Sequence, residues 1–194
     1  MPRPNMEQRI KELSKTLDKG ELRERALAAE ALGKTKHPAA VSRLVRALNY
    51  TFSEEVRFNI IQALGETGHP KAVPRLLQML VIGNRFDRQQ AIIALGQIGH
   101  PKAIPELVGE LQKKWKEDRE HVSMALQNIG ENIQNKKVSG KEAKALQFVS
   151  PYFLEEEHPN VVLKAYEAAL HNKIDPRNVR LYVKQLRAVK GNLK

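Results

Sequence analysis

Apolar residues recur along this chain with the period of an α-helix. Two successive stripes are the clearest, with members mostly three or four residues apart: Val56, Ile60, Ala63 and Leu64, then Val73, Leu76, Leu77 and Leu80. Such spacing predicts amphipathic helices, and two of them joined by a short turn predict a helical hairpin.

An Ala-Leu pair recurs at regular intervals and marks a repeated unit. The pairs begin at Ala31, Ala63, Ala94 and Ala125, which are 32, 31 and 31 residues apart. A fixed period of this size indicates stacked helical units that bury their apolar faces against one another. We therefore expect one solenoid domain over residues 1–194, with regular repeats at about 6–130 and a divergent, more basic part at about 131–194.

The turn between units is repeated as Gly-His-Pro-Lys-Ala, beginning at Gly68 and again at Gly99. Glycine commonly ends a helix and proline commonly begins one, so the next helices are expected to begin at Pro70 and Pro101. The histidine of each turn then falls at the N-cap position.

The same signals place the remaining helices. Asn5 is expected to cap a first helix, and Gly130 is expected to end a helix before a polar loop, NIQNKKVSG. The additional helices are expected at about 6–18, 22–35, 141–153, 159–171 and 176–189, which brings the total to about eleven.

The stretch ALGETGHPKAVPRLLQML, which begins at Ala63, resembles the short HEAT-like repeat of phycobilisome lyase subunits and of many bacterial and archaeal proteins. The resemblance extends over about residues 21–130. It implies an all-α protein, a right-handed α-solenoid of about five HEAT-like helical hairpins plus a C-terminal capping helix, which binds macromolecules. It does not imply bilin chemistry, because the repeat occurs in many proteins without that chemistry.

Composition narrows the classes of function. The chain contains no cysteine, which excludes disulfides, thiolate metal sites and cysteine nucleophiles. Neither a signal-peptide stretch nor an apolar run of about 18 residues is present, so we expect a cytoplasmic protein without a membrane partner. The 33 Lys and Arg residues against 22 Asp and Glu give a net charge of +11, which favours an acidic partner.

The basic residues concentrate at the turns between repeats and near the C-terminus. A lysine in the first turn of a helix opposes the helix dipole, and helix N-termini with nearby lysines can bind phosphates or carboxylates. Arg177, Arg180, Lys184 and Arg187 are spaced to share one face of the last predicted helix. The predicted partner-binding residues are Lys34, Lys36, Lys71, Lys102, Arg177, Arg180, Lys184 and Arg187.

One arginine recurs in each second helix, at Arg25, Arg57, Arg88 and Arg119. Two interpretations remain open for this series. In related repeats such an arginine pairs with an acid of the neighbouring unit, and the resemblance implies the same here. Alternatively, the arginines form a basic stripe that faces a ligand.

Three candidate sites have weaker support in the sequence. His37, His69 and His100 are expected to lie about 8–10 Å apart in stacked hairpins, too far to share one zinc ion. Residues 28–35 satisfy a loose phosphate-loop pattern, but they fall inside a predicted helix instead of following a strand. Trp115, Asp118 and Arg119 resemble the concave triad of HEAT-like alkylpurine DNA glycosylases, although Trp115 also continues an apolar stripe.

Two functions of different classes follow. The first is a non-enzymatic scaffold or adaptor that binds an acidic macromolecule, most directly a protein, as a monomer or a component of a larger complex. The alternative is sequence-nonspecific binding of the DNA or RNA backbone. No nucleophile with a base, carboxylate pair or metal cluster is recognisable, so neither an enzyme nor a cofactor is expected.

Overall fold

The structure is a computed structural model that describes residues 5–112, 118–136, 145–146, 149, 159–171, 173, 175 and 178–191. Within these residues, ten α-helices have described bounds and no strand occurs. The helices are α1 (Met6–Lys19), α2 (Leu22–Lys34), α3 (Pro38–Tyr50), α4 (Glu54–Thr67), α5 (Val73–Ile82), α6 (Arg85–Ile98), α7 (Ile104–Gln112), α8 (Arg119–Lys136), α9 (Pro159–Leu170) and α10 (Val179–Gly191). The all-α class is thereby confirmed.

The chain forms two compact units, residues 1–98 and 99–194. In the first unit, α1–α6 make three helical hairpins in which α2, α4 and α6 pack side by side. The apolar stripes of the sequence meet between the helices and exclude water. The largest fully buried side chains of this unit are Leu17, Leu32, Leu44, Ile60, Ile61, Leu64, Leu76, Ile92 and Leu95.

Glycine in the Ala-Leu-Gly motif lets the second helices approach closely. A Cβ atom at Gly33 would lie 2.8 Å from the Cα of Ala63, and one at Gly65 would lie 3.0 Å from the Cα of Ala94. Both distances are too short for a side chain to fit without moving the neighbouring helix. The repeated glycine therefore sets the spacing between α2, α4 and α6.

The α-helix that was expected to begin at Pro70 begins three residues later. Residues Pro70–Ala72 form a 3₁₀ turn, and α5 starts only at Val73. In a continuous α-helix, the N–H of residue 74 would bond to the carbonyl of Pro70, but Pro74 has no N–H. The N–H of Val73 bonds to that carbonyl instead. The turn Pro101–Ala103 precedes Pro105 in the same way, whereas α3, which has Ser42 at this place, is α-helical from Pro38 onward.

In the second unit, α7 packs on α8, and α9 packs on α10 and contacts α7. The prediction of a polar loop directly after Gly130 is wrong, because α8 continues to Lys136. Ile133 is buried at 2% exposure, and the Asn132 amide donates a hydrogen bond to the Gly99 carbonyl at 3.3 Å. These tertiary contacts extend the helix past Gly130, whose equivalents Gly68 and Gly99 directly follow the ends of α4 and α6. Most of the predicted helix at 141–153 lies outside the described residues.

Where the helices are described, none is both long and apolar enough to cross a lipid bilayer.

Candidate functional site

The turns between hairpins share one geometry. In each, the Nδ1 atom of a histidine accepts a hydrogen bond from the backbone N–H two residues later, at 3.2 Å. The three pairs are His37 with Ala39, His69 with Lys71, and His100 with Lys102. The prediction that histidine occupies the N-cap is therefore confirmed at His69 and His100.

A threonine reinforces the two turns of the first unit. The Thr67 hydroxyl donates to the Leu64 carbonyl at 2.7 Å and accepts from the His69 N–H at 3.2 Å. Thr35 makes the equivalent bonds, at 2.7 and 3.3 Å, in the turn that contains His37. These turns are therefore held by side-chain hydrogen bonds on both sides of the histidine.

An Nδ1 atom that accepts a hydrogen bond carries no proton, so this capping bond requires a neutral imidazole. Burial, followed by the charge of Lys102, lowers the pKa of His100 and favours that form further. Across the described part of the chain, no group of three or more His, Asp or Glu residues is arranged to hold a metal ion.

Three of the predicted basic residues lie exposed in these turns. Lys71 and Lys102 directly follow the prolines that begin the 3₁₀ turns, and Lys36 precedes His37. No acidic residue lies in the first turn of α3 or in the 3₁₀ turns after His69 and His100, and Glu106 lies further on, in the first turn of α7. Each turn therefore presents a cation at the positive end of a helix dipole, an arrangement that attracts anionic groups.

Lys36 has an unusual backbone conformation. Its φ angle is 50°, in the left-handed region that Gly68 and Gly99 occupy in the other turns with φ of 61° and 65°. A residue with a Cβ atom is less stable there than glycine by about 1–2 kcal/mol. The lysine side chain is thus kept at a position where glycine would be more stable.

Lys34 lies in a different environment. Its ammonium group bonds to the carboxylate of Glu30 within α2, and this hydrogen bond, followed by the negative charge of Glu30, raises the pKa of Lys34. Gly33 and Lys34 are helical and Thr35 caps the helix. The interpretation of residues 28–35 as a helix and not a phosphate loop is therefore confirmed.

The C-terminal basic residues are described in part. Arg180 and Lys184 are exposed on α10, and Arg187 follows three residues later in the same helix. Arg177 lies outside the described residues, as does Trp115 of the predicted triad.

The arginine series has a structural role at its first two members. The Arg57 Nε atom lies 3.0 Å from Oδ2 and 3.2 Å from Oδ1 of Asp87, which belongs to the next hairpin. Asp87 is only 4% exposed. The pairing implied by the repeat resemblance is therefore confirmed at Arg57. Arg25 instead donates to the Leu17 carbonyl at 2.9 Å and contacts the Thr51 hydroxyl at 3.4 Å.

A groove on the second helices of the first unit was missed by the sequence reasoning. It has a volume of about 210 Å³ and is lined by Glu30, Asn59, Gln62, Ala63 and Glu66. Its acidic and amide side chains differ from the basic surface that the overall charge predicts. The signal in the sequence was the polar residues that flank the Ala-Leu-Gly motifs beginning at Ala31 and Ala63.

A family model for HEAT repeats matches two overlapping stretches of the chain, residues 10–85 and 52–127. Together, the two matches cover more than half of the 194 residues. The chain belongs to the HEAT repeat family. Its α-solenoid fold class is thereby shown.

One chain of a solved structure is similar to this HEAT repeat chain, with a TM-score of 0.56 at 25% identity. That structure is the complex of CpcE and CpcF of phycocyanin lyase from Nostoc sp. PCC7120. The similarity covers 88% of this chain and 66% of that chain, so the HEAT repeat chain spans just under two thirds of its structural relative. This similarity confirms the resemblance to repeats of the phycobilisome lyase type. Comparison with curated proteins gives no match.

Proposed function

We propose that this HEAT repeat protein is a non-enzymatic binding subunit that holds an acidic protein through the exposed lysines of its turns. The observation that carries the proposal is the repeated turn, in which an exposed lysine lies beside a helix N-terminus, with no acid in the first turn after His37 or in the 3₁₀ turns after His69 and His100. The structurally similar chain was solved as a complex of two proteins, which supports association with a protein partner.

The conformation of Lys36 supports the same function. Strained backbone positions are retained when surrounding structure or function maintains them. Lys36 adopts a left-handed conformation that two other turns assign to glycine. A requirement for positive charge at this turn explains why a lysine occupies it.

Nucleic-acid binding is the alternative, and the turns favour it less. A phosphate at a helix N-terminus binds to the first free backbone N–H groups. In all three turns, the N–H two residues after the histidine already donates to the imidazole. The turns therefore offer lysine side chains to a partner, whereas the backbone N–H group that could bind a phosphate is already used by the histidine cap. Arg180 and Lys184 on α10 remain candidate contacts for either partner.

The proposal is tested with two labelled probes, a poly-glutamate peptide and a mixed-sequence DNA duplex, in fluorescence anisotropy titrations. We expect the peptide to bind and a variant with Lys36→Gln, Lys71→Gln and Lys102→Gln to bind it at least about tenfold more weakly. The matched control is Lys34→Gln, because that lysine is already paired with Glu30. Tighter binding of the duplex, with a steep salt dependence, would favour the nucleic-acid alternative.

A further inference from the structure

Two neighbouring loops of the first unit, with the helix ends beside them, expose large apolar side chains. These loops join α3 to α4 and α5 to α6, at the opposite end of α4 from the His69 turn. We call the exposed apolar residues of these loops and adjoining helix ends the apolar loop edge: Tyr50 at 73% exposure, Phe52 at 95%, Val81 at 81%, Ile82 at 68% and Phe86 at 47%. The largest exposed apolar patch of a protein often marks an interaction site.

Side-chain contacts hold the two loops and the helices beside them together. The Asn84 amide donates to the Glu54 carboxylate at 3.1 Å, and the Arg57 guanidinium, which is paired with Asp87 of α6, donates to the Phe52 carbonyl at 2.8 Å. The rings of Phe58 on α4 and Phe86 on α6 also stack, with centroids 5.6 Å apart. The apolar loop edge is therefore preorganised, and a partner would bind it without first ordering the loops.

The exposed apolar area approaches what one side of a stable interface requires. Three aromatic side chains, each with a surface of about 200 Å², and two aliphatic ones expose on the order of 600 Å². The largest apolar patch on a typical monomer is about 300–600 Å². A standard interface buries about 800 Å² on each partner, and the polar rim around these loops can supply the remainder.

Charge around the apolar loop edge does not oppose a second copy of the chain. The exposed charged residues beside it are of both signs, Glu54 and Glu55 with Arg85. Lys71, in the turn of the same unit that follows α4, lies at the other end of this 14-residue helix, about 20 Å away at 1.5 Å per residue. This distance exceeds the Debye length of about 8 Å at physiological salt, so its repulsion is screened.

We infer that the apolar loop edge is the interface of a symmetric dimer of this chain. A two-fold axis places the same patch on both copies, and an apolar patch with flanking charges of both signs is complementary to itself. The inference is independent of the proposed function, because it uses the opposite end of the hairpins.

Sedimentation equilibrium of the full chain tests the inference. We expect a dimer at about 100 μM protein that persists at about 500 mM salt, since burial of apolar surface and not charge attraction drives it. The double variant Phe52→Asp, Ile82→Asp should raise the dissociation constant at least about 100-fold, because it would bury unpaired carboxylates. The matched control is Leu27→Asp, which changes another exposed apolar residue, 56% exposed, on α2.

Single-cysteine variants give a second measurement, because the chain has no cysteine of its own. A short bismaleimide should cross-link two copies through Asn49→Cys, next to Tyr50, and should not do so through Lys71→Cys at the opposite end. A monomeric wild-type protein overturns the inference. So does a dimer that the double variant leaves intact, or one that cross-links equally well through both positions. None of these results bears on the lysine-dependent binding of the peptide, which the anisotropy titrations test separately.

Discussion

Replacing Asp87 by Asn tests whether the buried ion pair between hairpins stabilises the first unit. Asp87 accepts two close contacts from the Arg57 Nε atom, and the two side chains are only 6% and 16% exposed. Asparagine keeps the volume and one accepting oxygen but removes the charge, which leaves a largely desolvated guanidinium without an anionic partner.

The expected cost follows from this burial. Removing one partner of a fully buried pair costs about 3–5 kcal/mol. Arg57 keeps its bond to the Phe52 carbonyl and a contact with Glu54 at 3.7 Å, so we expect about 2–3 kcal/mol. The assay is urea unfolding followed by circular dichroism.

An exposed pair in the same unit is the matched control. Arg46 and Asp18 are 3.1 Å apart, with side chains that are 49% and 42% exposed. Asp18→Asn should therefore cost less than about 1 kcal/mol. Equal losses of stability in Asp87→Asn and Asp18→Asn would refute the structural role assigned to the buried pair.

Three further predictions concern the helix packing and the turns. Gly65→Ala should lower the free energy of unfolding by about 1–3 kcal/mol, since its Cβ would lie 3.0 Å from Ala94; unchanged urea unfolding would contradict the close packing. Lys36→Gly should raise stability by about 1 kcal/mol while weakening peptide binding; thermal melts and anisotropy check the two effects, and a loss of stability would show that the lysine is not strained. The pKa of His100 is lowered in the folded protein. The stability that the neutral His100 cap contributes is therefore complete above the unfolded pKa of about 6.5 and is lost as pH falls through the folded pKa. His100→Asn, which keeps a capping side chain, should reduce this acid sensitivity in melts across that range; an unchanged pH profile would contradict it.

Much of the fold could be predicted from the sequence because its strongest signals are local. The Ala-Leu spacing, the glycine that ends α4 and the histidine N-caps all act within a few residues. The continuation of α8 past Gly130 could not be predicted in this way, because it depends on Asn132 reaching Gly99 and on the burial of Ile133.

For the candidate binding surfaces too, only the features with local sequence signals could be predicted. Lys71 and Lys102 were found from their position after proline, and the pairing of Lys34 with Glu30 was detectable as an i, i+4 contact. The apolar loop edge could not be found from such local signals. Val81 and Ile82 extend an apolar helical stripe, and only the relative lengths of the packed helices determine which of its members project beyond the core.

Binding of an acidic protein through the turn lysines is tested by recovering the partner of the tagged full chain from native lysate, with and without nuclease. We expect an acidic protein whose recovery is unaffected by nuclease, is lost with the Lys36→Gln, Lys71→Gln, Lys102→Gln variant and is kept with Lys34→Gln. Recovery that nuclease abolishes, or a partner that the triple variant still binds, would show that the turn lysines do not hold an acidic protein.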